Sequence, residues 1–224
     1  MECRGTGDSE HKGPFTIKQY ALDAVALLDH LGIDRVTFAG HSMGGGVGYQ
    51  LAAYHESRLE RLVLMAPIGS SGTASPENAA RWRANPGSYT PRAPQPIASD
   101  HATELAMYHA NALHPANTDA WFEHRIECRR TCGHYVESGL SMATLDLQAA
   151  LPKITVPVLM LAGSADGLLP VNIRDFELMS KVACLHVVSH AGHDVARHAP
   201  EETALAMHKF MIWGAKNYHM SAKY

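Results

Sequence analysis

The chain has 224 residues, of which 46% are hydrophobic and 18% are charged, and its formal net charge is -3. This length and composition suit one domain with a substantial core and exclude an intrinsically disordered protein. The charge balance excludes a basic nucleic-acid-binding footprint, no apolar run is long enough to span a bilayer, and residues 1–5 lack the apolar stretch of a secretory signal. We therefore expect a cytoplasmic protein that binds neither nucleic acid nor a membrane.

The first part of the chain alternates helix and strand. Apolar residues recur at helical spacing over residues 16–31, where Thr16 and Gln19 are placed to form a capping box. Three further elements are predicted after this helix: a strand at 35–39, a helix at 43–55 and a strand at 62–66. Alternation of this kind predicts an α/β fold with parallel strand pairing.

The segment Val36 to Gly46 predicts a nucleophile at Ser42. It reads Val-Thr-Phe-Ala-Gly-His-Ser-Met-Gly-Gly-Gly, an apolar strand that turns at a Gly-X-Ser-X-Gly motif into a helix. We expect a turn so tight that a Cβ atom at Gly40 or Gly44 would collide with its neighbours, which leaves the serine hydroxyl projecting. The Met43 amide, at the start of the helix, is expected to stabilise an oxyanion. The alternative is a glycine-rich helix start without catalytic meaning.

The segment 70–151 departs from this alternation. Residues 70–100 are rich in Ser, Pro and Gly, and residues 100–147 are expected to form several short helices. The pattern predicts an inserted helical cap, which divides the chain into core residues 1–69, the cap at 70–151 and core residues 152–224. Four aromatic residues of the cap are candidates to line a mostly apolar pocket, although such spacing is also typical of core packing: Trp82, Tyr108, Trp121 and Phe122.

The alternation resumes after the cap. Its predicted elements are a strand at 156–162, a helix at 171–181, a strand at 184–188 and a helix at 200–213. Asp166 follows the first of these strands and His193 follows the second, where the loops of open α/β sheets collect catalytic groups. A serine hydroxyl needs such a pair, a base to take its proton and a carboxylate to orient that base.

Three neighbouring residues compete for these assignments. His190 is the nearest competitor for the base, and Asp194 is poorly placed to orient the histidine that it directly follows. His41 adjoins the serine, so its side chain diverges from the hydroxyl. We expect His41 to pack, to hydrogen-bond or to contact substrate rather than to act as the base.

The cysteines indicate neither a disulfide framework nor a metal centre. Four cysteines in a chain of this length are too sparse for a disulfide scaffold. His124, Cys128 and Cys132 are spaced to line one helical face, which would suit a metal, but no fourth ligand is evident in the sequence. We expect no metal site and no cofactor.

Together these segments resemble the α/β-hydrolase family. The resemblance is carried by Gly-His-Ser-Met-Gly-Gly at 40–45, the strand at 62–66, Gly-Ser-Ala-Asp at 163–166 and Ala-Gly-His at 191–193. It implies a mostly parallel sheet with a helical cap insertion, Ser42 as nucleophile, His193 as general base and then acid, and Asp166 as the orienting carboxylate. Relatives with dehalogenase or epoxide hydrolase activity use aspartate in place of this serine, so those activities are disfavoured.

One family segment stands in an unexpected place. Family members usually carry Asp-X-Arg-Gly-X-Gly-X-Ser after their fourth strand, and residues 2–9 resemble it with Glu2 in place of Asp. The resemblance therefore implies that the N-terminal strands are lacking, together with the His-Gly loop that supplies a second oxyanion donor. The strand at 35–39 would then present an exposed apolar edge, through which the chain would self-associate.

The leading interpretation is a carboxylesterase-like serine hydrolase. It would cleave an ester-type bond of a small molecule through an acyl-enzyme, with His41, Trp121 and Phe122 contacting the substrate. One alternative is a carbon–carbon bond hydrolase of the same fold, since Leu-Met-Ala-Pro-Ile-Gly at 64–69 is similar to the strand end of that subgroup. The other is a truncated relative that binds without turnover.

Overall fold

The computed structural model describes residues 2–89, 102, 114–130 and 135–218. Its described helices are α1 (Ile17–His30), α2 (Met43–Tyr54), α3 (Pro76–Ala84), α4 (Asp119–Arg130), α5 (Tyr135–Ala143), α6 (Leu169–Leu178), α7 (Val195–His198) and α8 (Pro200–Asn217). None of these helices combines the length and the apolarity that crossing a bilayer requires. The segment 70–151 contributes α3, α4 and α5 and, among its described residues, no strand.

Four described strands form one parallel sheet. In spatial order they are β1 (Val36–His41), β2 (Leu59–Met65), β3 (Val158–Gly163) and β4 (Ala183–Val188). Each lies within three residues of its predicted bounds, so the predicted α/β fold with parallel pairing is confirmed. His41 pairs with Met65 and Met65 with Leu161, so three strands end at the same level. The loops that follow them consequently meet at one edge of the sheet.

Helices cover both faces of the sheet. Because the side chains of a strand alternate between the two faces, neighbouring residues of one strand pack into different clusters. On β2, Leu62 and Leu64 pack into a cluster with Tyr20 of α1, whereas Val63 packs into a second cluster with Phe210 of α8. All five side chains are 0% exposed. Complete burial of a leucine or phenylalanine contributes about 1.5–3 kcal/mol, so the two clusters hold helices against both faces.

The loop after β2 is anchored by two buried polar residues of α6. The Asp175 carboxylate accepts hydrogen bonds from the Ser70 amide at 2.7 Å and the Ser70 hydroxyl at 2.9 Å, and it is 0% exposed. Asn172 donates from Nδ2 to the Pro67 carbonyl oxygen at 2.8 Å. These bonds hold the loop that passes directly beside the end of β1.

β1 lies at one end of the described sheet, where it pairs with β2 alone. Only Gly40 of its six residues is buried, whereas all six residues of β3 are buried. A groove of about 330 Å³ runs beside β1, and its lining includes Val36, Phe38 and Leu27 of α1. β1 therefore presents an apolar edge.

Candidate active site

The turn between β1 and α2 places Ser42 in a strained conformation. Its φ is 54° and its ψ is -114°, a region that non-glycine residues rarely occupy. Backbone hydrogen bonds hold it there: the Ser42 amide donates to the Met65 carbonyl at 3.0 Å, and the Ser42 carbonyl accepts from the amides of Gly45 at 2.9 Å and Ile68 at 3.1 Å. Because the backbone is held on both sides, the hydroxyl projects from the apex of the turn.

Glycine is required at two positions around this turn, and one of them differs from the sequence prediction. A Cβ atom built on Gly40 would overlap the carbonyl of Gly44, as predicted. A Cβ atom on Gly44 would meet no atom within 4 Å, so the predicted collision at Gly44 is wrong. The second close approach belongs to Gly45, where a Cβ atom would lie 2.5 Å from the Pro67 side chain. The loop after β2, distant in sequence, creates that contact.

Ser42, His193 and Asp166 form a chain of hydrogen bonds. The Ser42 hydroxyl lies 2.8 Å from Nε2 of His193, and Nδ1 of His193 lies 2.9 Å from Oδ2 of Asp166. These distances are those required between a nucleophile, its base and the group that orients the base. With the histidine proton on Nδ1, Nε2 is free to accept the serine proton.

Asp166 is held as a carboxylate in a sheltered position. Its side chain is 6% exposed, and its second oxygen accepts a hydrogen bond from the Leu168 amide at 3.0 Å. Burial alone would raise the pKa of this carboxyl group, but the hydrogen bonds from His193 and Leu168 outweigh it and hold the pKa below its ordinary value. The ionised carboxylate can therefore fix the tautomer of His193.

The competing histidine and carboxylate do not occupy these positions. His190 is exposed, and its amide donates to the hydroxyl of Ser164 at 2.9 Å. Asp194 accepts from the Arg197 guanidinium at 3.1 Å and lies 3.8 Å from Nε2 of His41. His193 is thus the histidine whose side chain reaches Ser42.

His41 connects the turn at Ser42 to the loop that carries His193, residues 189–194, which we call the histidine loop. Its Nε2 lies 2.9 Å from the carbonyl oxygen of His193, to which it donates, and the centroids of the two rings are 4.8 Å apart. Burial is the largest influence on the His41 ring and lowers its pKa, together with the charge of His193. The hydrogen bond expected of His41 is therefore present as a contact with the backbone of the loop that carries His193.

Met43 is the first residue of α2, directly after Ser42. An amide in the first turn of a helix has no acceptor within that helix and lies at the positive end of the helix dipole. Its position next to Ser42 suits an oxyanion donor, because negative charge develops beside the serine oxygen during attack.

Three of the four predicted aromatic residues lie in the described part of the chain, with different degrees of burial. Trp121 is half-buried, and the guanidinium carbon of Arg197 lies 3.8 Å from its ring centroid. Phe122 is 2% exposed and packs edge-on against Trp121, with centroids 4.8 Å apart. Trp82 packs edge-on against Tyr89 at 4.9 Å. Tyr108 lies outside the described residues.

The spacing that suggested a metal brings two side chains close together. The Cys128 sulfur lies 3.5 Å from Nε2 of His124, and Cys132 lies outside the described residues. In the part of the chain that the structure describes, no group of three or more metal-binding side chains comes together.

Sequence reasoning missed a set of contacts on α7. Arg197 donates to the Ala116 carbonyl at 2.6 Å, and His198 accepts from the Gly192 amide at 2.9 Å through Nδ1. Both residues lie within five positions of His193, on the short helix α7 that follows it. Their partners are distant in sequence or belong to the backbone, so the local pattern alone did not indicate these contacts.

Comparison with known proteins identifies similar hydrolases. A model of the Alpha/beta hydrolase family matches residues 1–206. The chain is 28% identical to 3-oxoadipate enol-lactonase 2 of Acinetobacter baylyi over 84% of this chain and 66% of that protein. It is 31% identical to a putative carbamate hydrolase RutD of Stutzerimonas stutzeri over 74% of this chain and 62% of that protein. The chain thus spans less than two thirds of the length of these curated relatives.

A solved structure also matches. A hydrolase from Pseudomonas aeruginosa is 27% identical in sequence, with a TM-score of 0.69, and the match covers 94% of this chain and 77% of that one. A TM-score of this size, over nearly the whole chain, supports the same arrangement of sheet and helices in both proteins.

Alanine substitutions at the two glycines of the serine motif should differ in their effect on stability. Replacing Gly40 with alanine forces a backbone clash and should lower the free energy of unfolding by about 3 kcal/mol or more. Gly44→Ala places its methyl group in open space and should change stability by less than about 1 kcal/mol. Urea denaturation of both variants measures the difference, and equal stabilities would contradict the described turn.

Proposed function

The chain belongs to the alpha/beta hydrolase family, and from this premise we propose that it is a serine hydrolase that cleaves an ester-type bond of a small molecule. The observation that carries the proposal is the hydrogen-bonded chain from Ser42 through His193 to Asp166, at the apex of a strained turn. A buried serine held only for packing would not require this backbone conformation.

The proposed first half-reaction is acylation. Nε2 of His193 takes the hydroxyl proton as the Ser42 oxygen attacks the acyl carbon, and the carbonyl electron pair moves onto oxygen. The Met43 amide donates to that oxyanion. The carbonyl then re-forms, the bond to the leaving group breaks, and His193 gives its proton to the leaving oxygen.

The proposed second half-reaction is hydrolysis of the acyl-enzyme. His193 removes a proton from water as the water oxygen attacks the acyl carbon, and the proton then returns to the Ser42 oxygen as the acid leaves. Asp166 remains ionised throughout and stabilises the positive charge that forms on the imidazole. The proposed chemistry needs no cofactor.

We assign the substrate contacts to the junction between the segment 70–151, which we propose as a cap, and the histidine loop. Trp121 is half-buried and packs against Arg197 of α7, the helix that follows His193, and Phe122 packs edge-on against Trp121. The exposed part of the Trp121 ring suits the acyl or alkyl part of an ester, and the buried Phe122 contributes by holding that ring. His41 orders the loop beside the reacting groups through its bond to the His193 carbonyl.

The test of the proposed function is hydrolysis of p-nitrophenyl acetate and butyrate by the purified chain. We predict turnover that falls by about 10³-fold or more in Ser42→Ala, since the nucleophile is removed while the fold is kept. Ser71→Ala is the matched control, because the hydroxyl of Ser71 accepts a hydrogen bond from the exposed Arg174 at 2.9 Å and is not part of the proposed triad. Turnover that survives in Ser42→Ala would contradict the role of Ser42 as nucleophile. No turnover from a folded chain would contradict the proposal and favour a relative that binds without turnover.

The second candidate is a carbon–carbon bond hydrolase. It is favoured by 39% identity over 69 residues, which are 30% of this chain and 25% of that protein, to 2-hydroxymuconate semialdehyde hydrolase of Pseudomonas putida. The same assay discriminates the two candidates when 2-hydroxymuconate semialdehyde is added as a third substrate. Preference for it over both esters would favour the second candidate.

We further propose that the chain self-associates through the edge of β1. The unpaired backbone of an edge strand can accept another strand, and the groove beside β1 would bury apolar side chains in the contact. Sedimentation velocity should show a concentration-dependent dimer, which Leu27→Glu in the groove weakens by about tenfold or more. Leu205→Glu on α8 is the control, since its side chain is exposed elsewhere. A monomer at all concentrations would contradict this proposal.

A further inference from the structure

Two imidazole rings join the segment 114–117 to the loop of His193. The rings of His114 and His198 are stacked, with centroids 3.8 Å apart and planes inclined by 12°. His198 belongs to α7, directly after the loop, whereas His114 precedes α4. The stack therefore connects two parts of the chain that are far apart in sequence.

Backbone amides define the protonation state of both rings. The Gly192 amide donates to Nδ1 of His198 at 2.9 Å, and the Ala116 amide donates to Nδ1 of His114 at 3.1 Å. An amide N–H can only donate, so each Nδ1 must be free of a proton, and each neutral ring carries its proton on Nε2. A second proton on either ring would convert Nδ1 into a donor and break its backbone hydrogen bond.

The surroundings of His198 also oppose a second proton. The Arg197 guanidinium lies 3.0 Å from Nε2 of His198. Because both nitrogens carry hydrogen in this tautomer, they make no hydrogen bond with each other, and the guanidinium charge disfavours a further proton on the ring, as do the neighbouring rings of His114 and His193. Asp194 opposes this effect in part, although it is already paired with Arg197. Burial is the largest influence and lowers the pKa of His198, followed by the charges of His114 and Arg197.

Asn117 also connects the segment 114–117 to α7, through His198 and Arg197. Its Oδ1 lies 3.3 Å from Nε2 of His198, which donates to it, and it also accepts from Arg197. Arg197 in turn donates to the Ala116 carbonyl at 2.6 Å. The Asn117 side-chain oxygen and the Ala116 carbonyl thus accept hydrogen bonds from a neutral His198 and a charged Arg197.

We propose that His198 is a positioning residue for His193: as a neutral ring it holds the Gly192 amide and, stacked on His114, fastens the segment 114–117 to the catalytic loop. This stacked pair of rings, the histidine latch, opens when His198 is protonated, and the loop that carries His193 then loses one of its anchors. Its effect on turnover rests on the proposed function, whereas its opening does not.

The direction of the pH dependence follows from linkage. A histidine whose folded-state pKa lies below the ordinary value of 6.5 contributes its full stabilisation above that pH. The contribution is lost as the pH falls from about 6.5 toward the lowered pKa, because the open form then binds the proton more readily. The latch is therefore closed near pH 8 and opens in the acid range.

Turnover against pH tests the positioning role. In His198→Asn the side-chain oxygen can still accept from the Gly192 amide but cannot take a proton, and in His198→Ala the acceptor is lost. We expect kcat for p-nitrophenyl acetate to fall about tenfold in the alanine variant, with a smaller change in KM, and to recover in the asparagine variant. The wild-type acid limb should be steeper than that of His198→Asn, since the wild type carries an additional inhibitory protonation.

Hydrogen exchange in the wild-type chain tests the latch without reference to activity. After correction for intrinsic rates, residues 114–121 and 190–194 should exchange faster at pH 5.5 than at pH 8, while α1 in the same chain should not. In His198→Asn, residues 190–194 should show no such pH response, because the acceptor of the Gly192 amide no longer takes a proton. Equal pH responses in the wild type and His198→Asn, or protection unchanged between the two pH values, would overturn the proposal even if the ester assay succeeds. An inactive chain that shows the expected exchange would instead refute the proposed function and retain the latch.

Discussion

The positive φ of Ser42 is the constraint on which the rest of the site depends. A serine keeps this conformation only where neighbouring structure holds it, and here the Met65 carbonyl and the Ile68 amide do so from β2 and its loop. Close approach of Gly40 to Gly44 and of Gly45 to Pro67 lets the two chain segments reach bonding distance. The site therefore depends on the register between β1 and β2 as much as on the serine motif itself.

The partners of Ser42 are aligned by contacts between loops at the edge of the sheet. Asp166 follows β3 and is fixed by the Leu168 amide, while His193 follows β4 and is held through its carbonyl by His41. The Gly192 amide provides another anchor through His198. Each anchor acts on backbone near a residue of the proposed triad, so small displacements of a loop would directly lengthen the hydrogen bonds on which the proposed proton transfer depends.

Sequence reasoning predicted the elements and residues whose signals are local. Strand and helix periodicity identified the parallel sheet. The positions of Asp166 and His193 after successive strands indicated that they would lie near Ser42, and in the structure His193 hydrogen-bonds to Ser42 and Asp166 to His193. The Ser-Pro start of α3 is a helix signal that was overlooked in a segment rich in Ser, Pro and Gly. The open space at Gly44 and the stacking of His114 on His198 depend on segments distant in sequence, which periodicity does not describe.

The most direct test of an activated Ser42 is covalent labelling with a fluorophosphonate, followed by mass spectrometry of the intact chain and its peptides. The proposed site predicts one adduct, located on Ser42, whose rate of formation falls at least about 10³-fold in His193→Ala because the base is lost. Circular dichroism of the same samples establishes that both chains are folded. A folded wild-type chain that remains unlabelled, or that labels as fast without His193, would contradict the account.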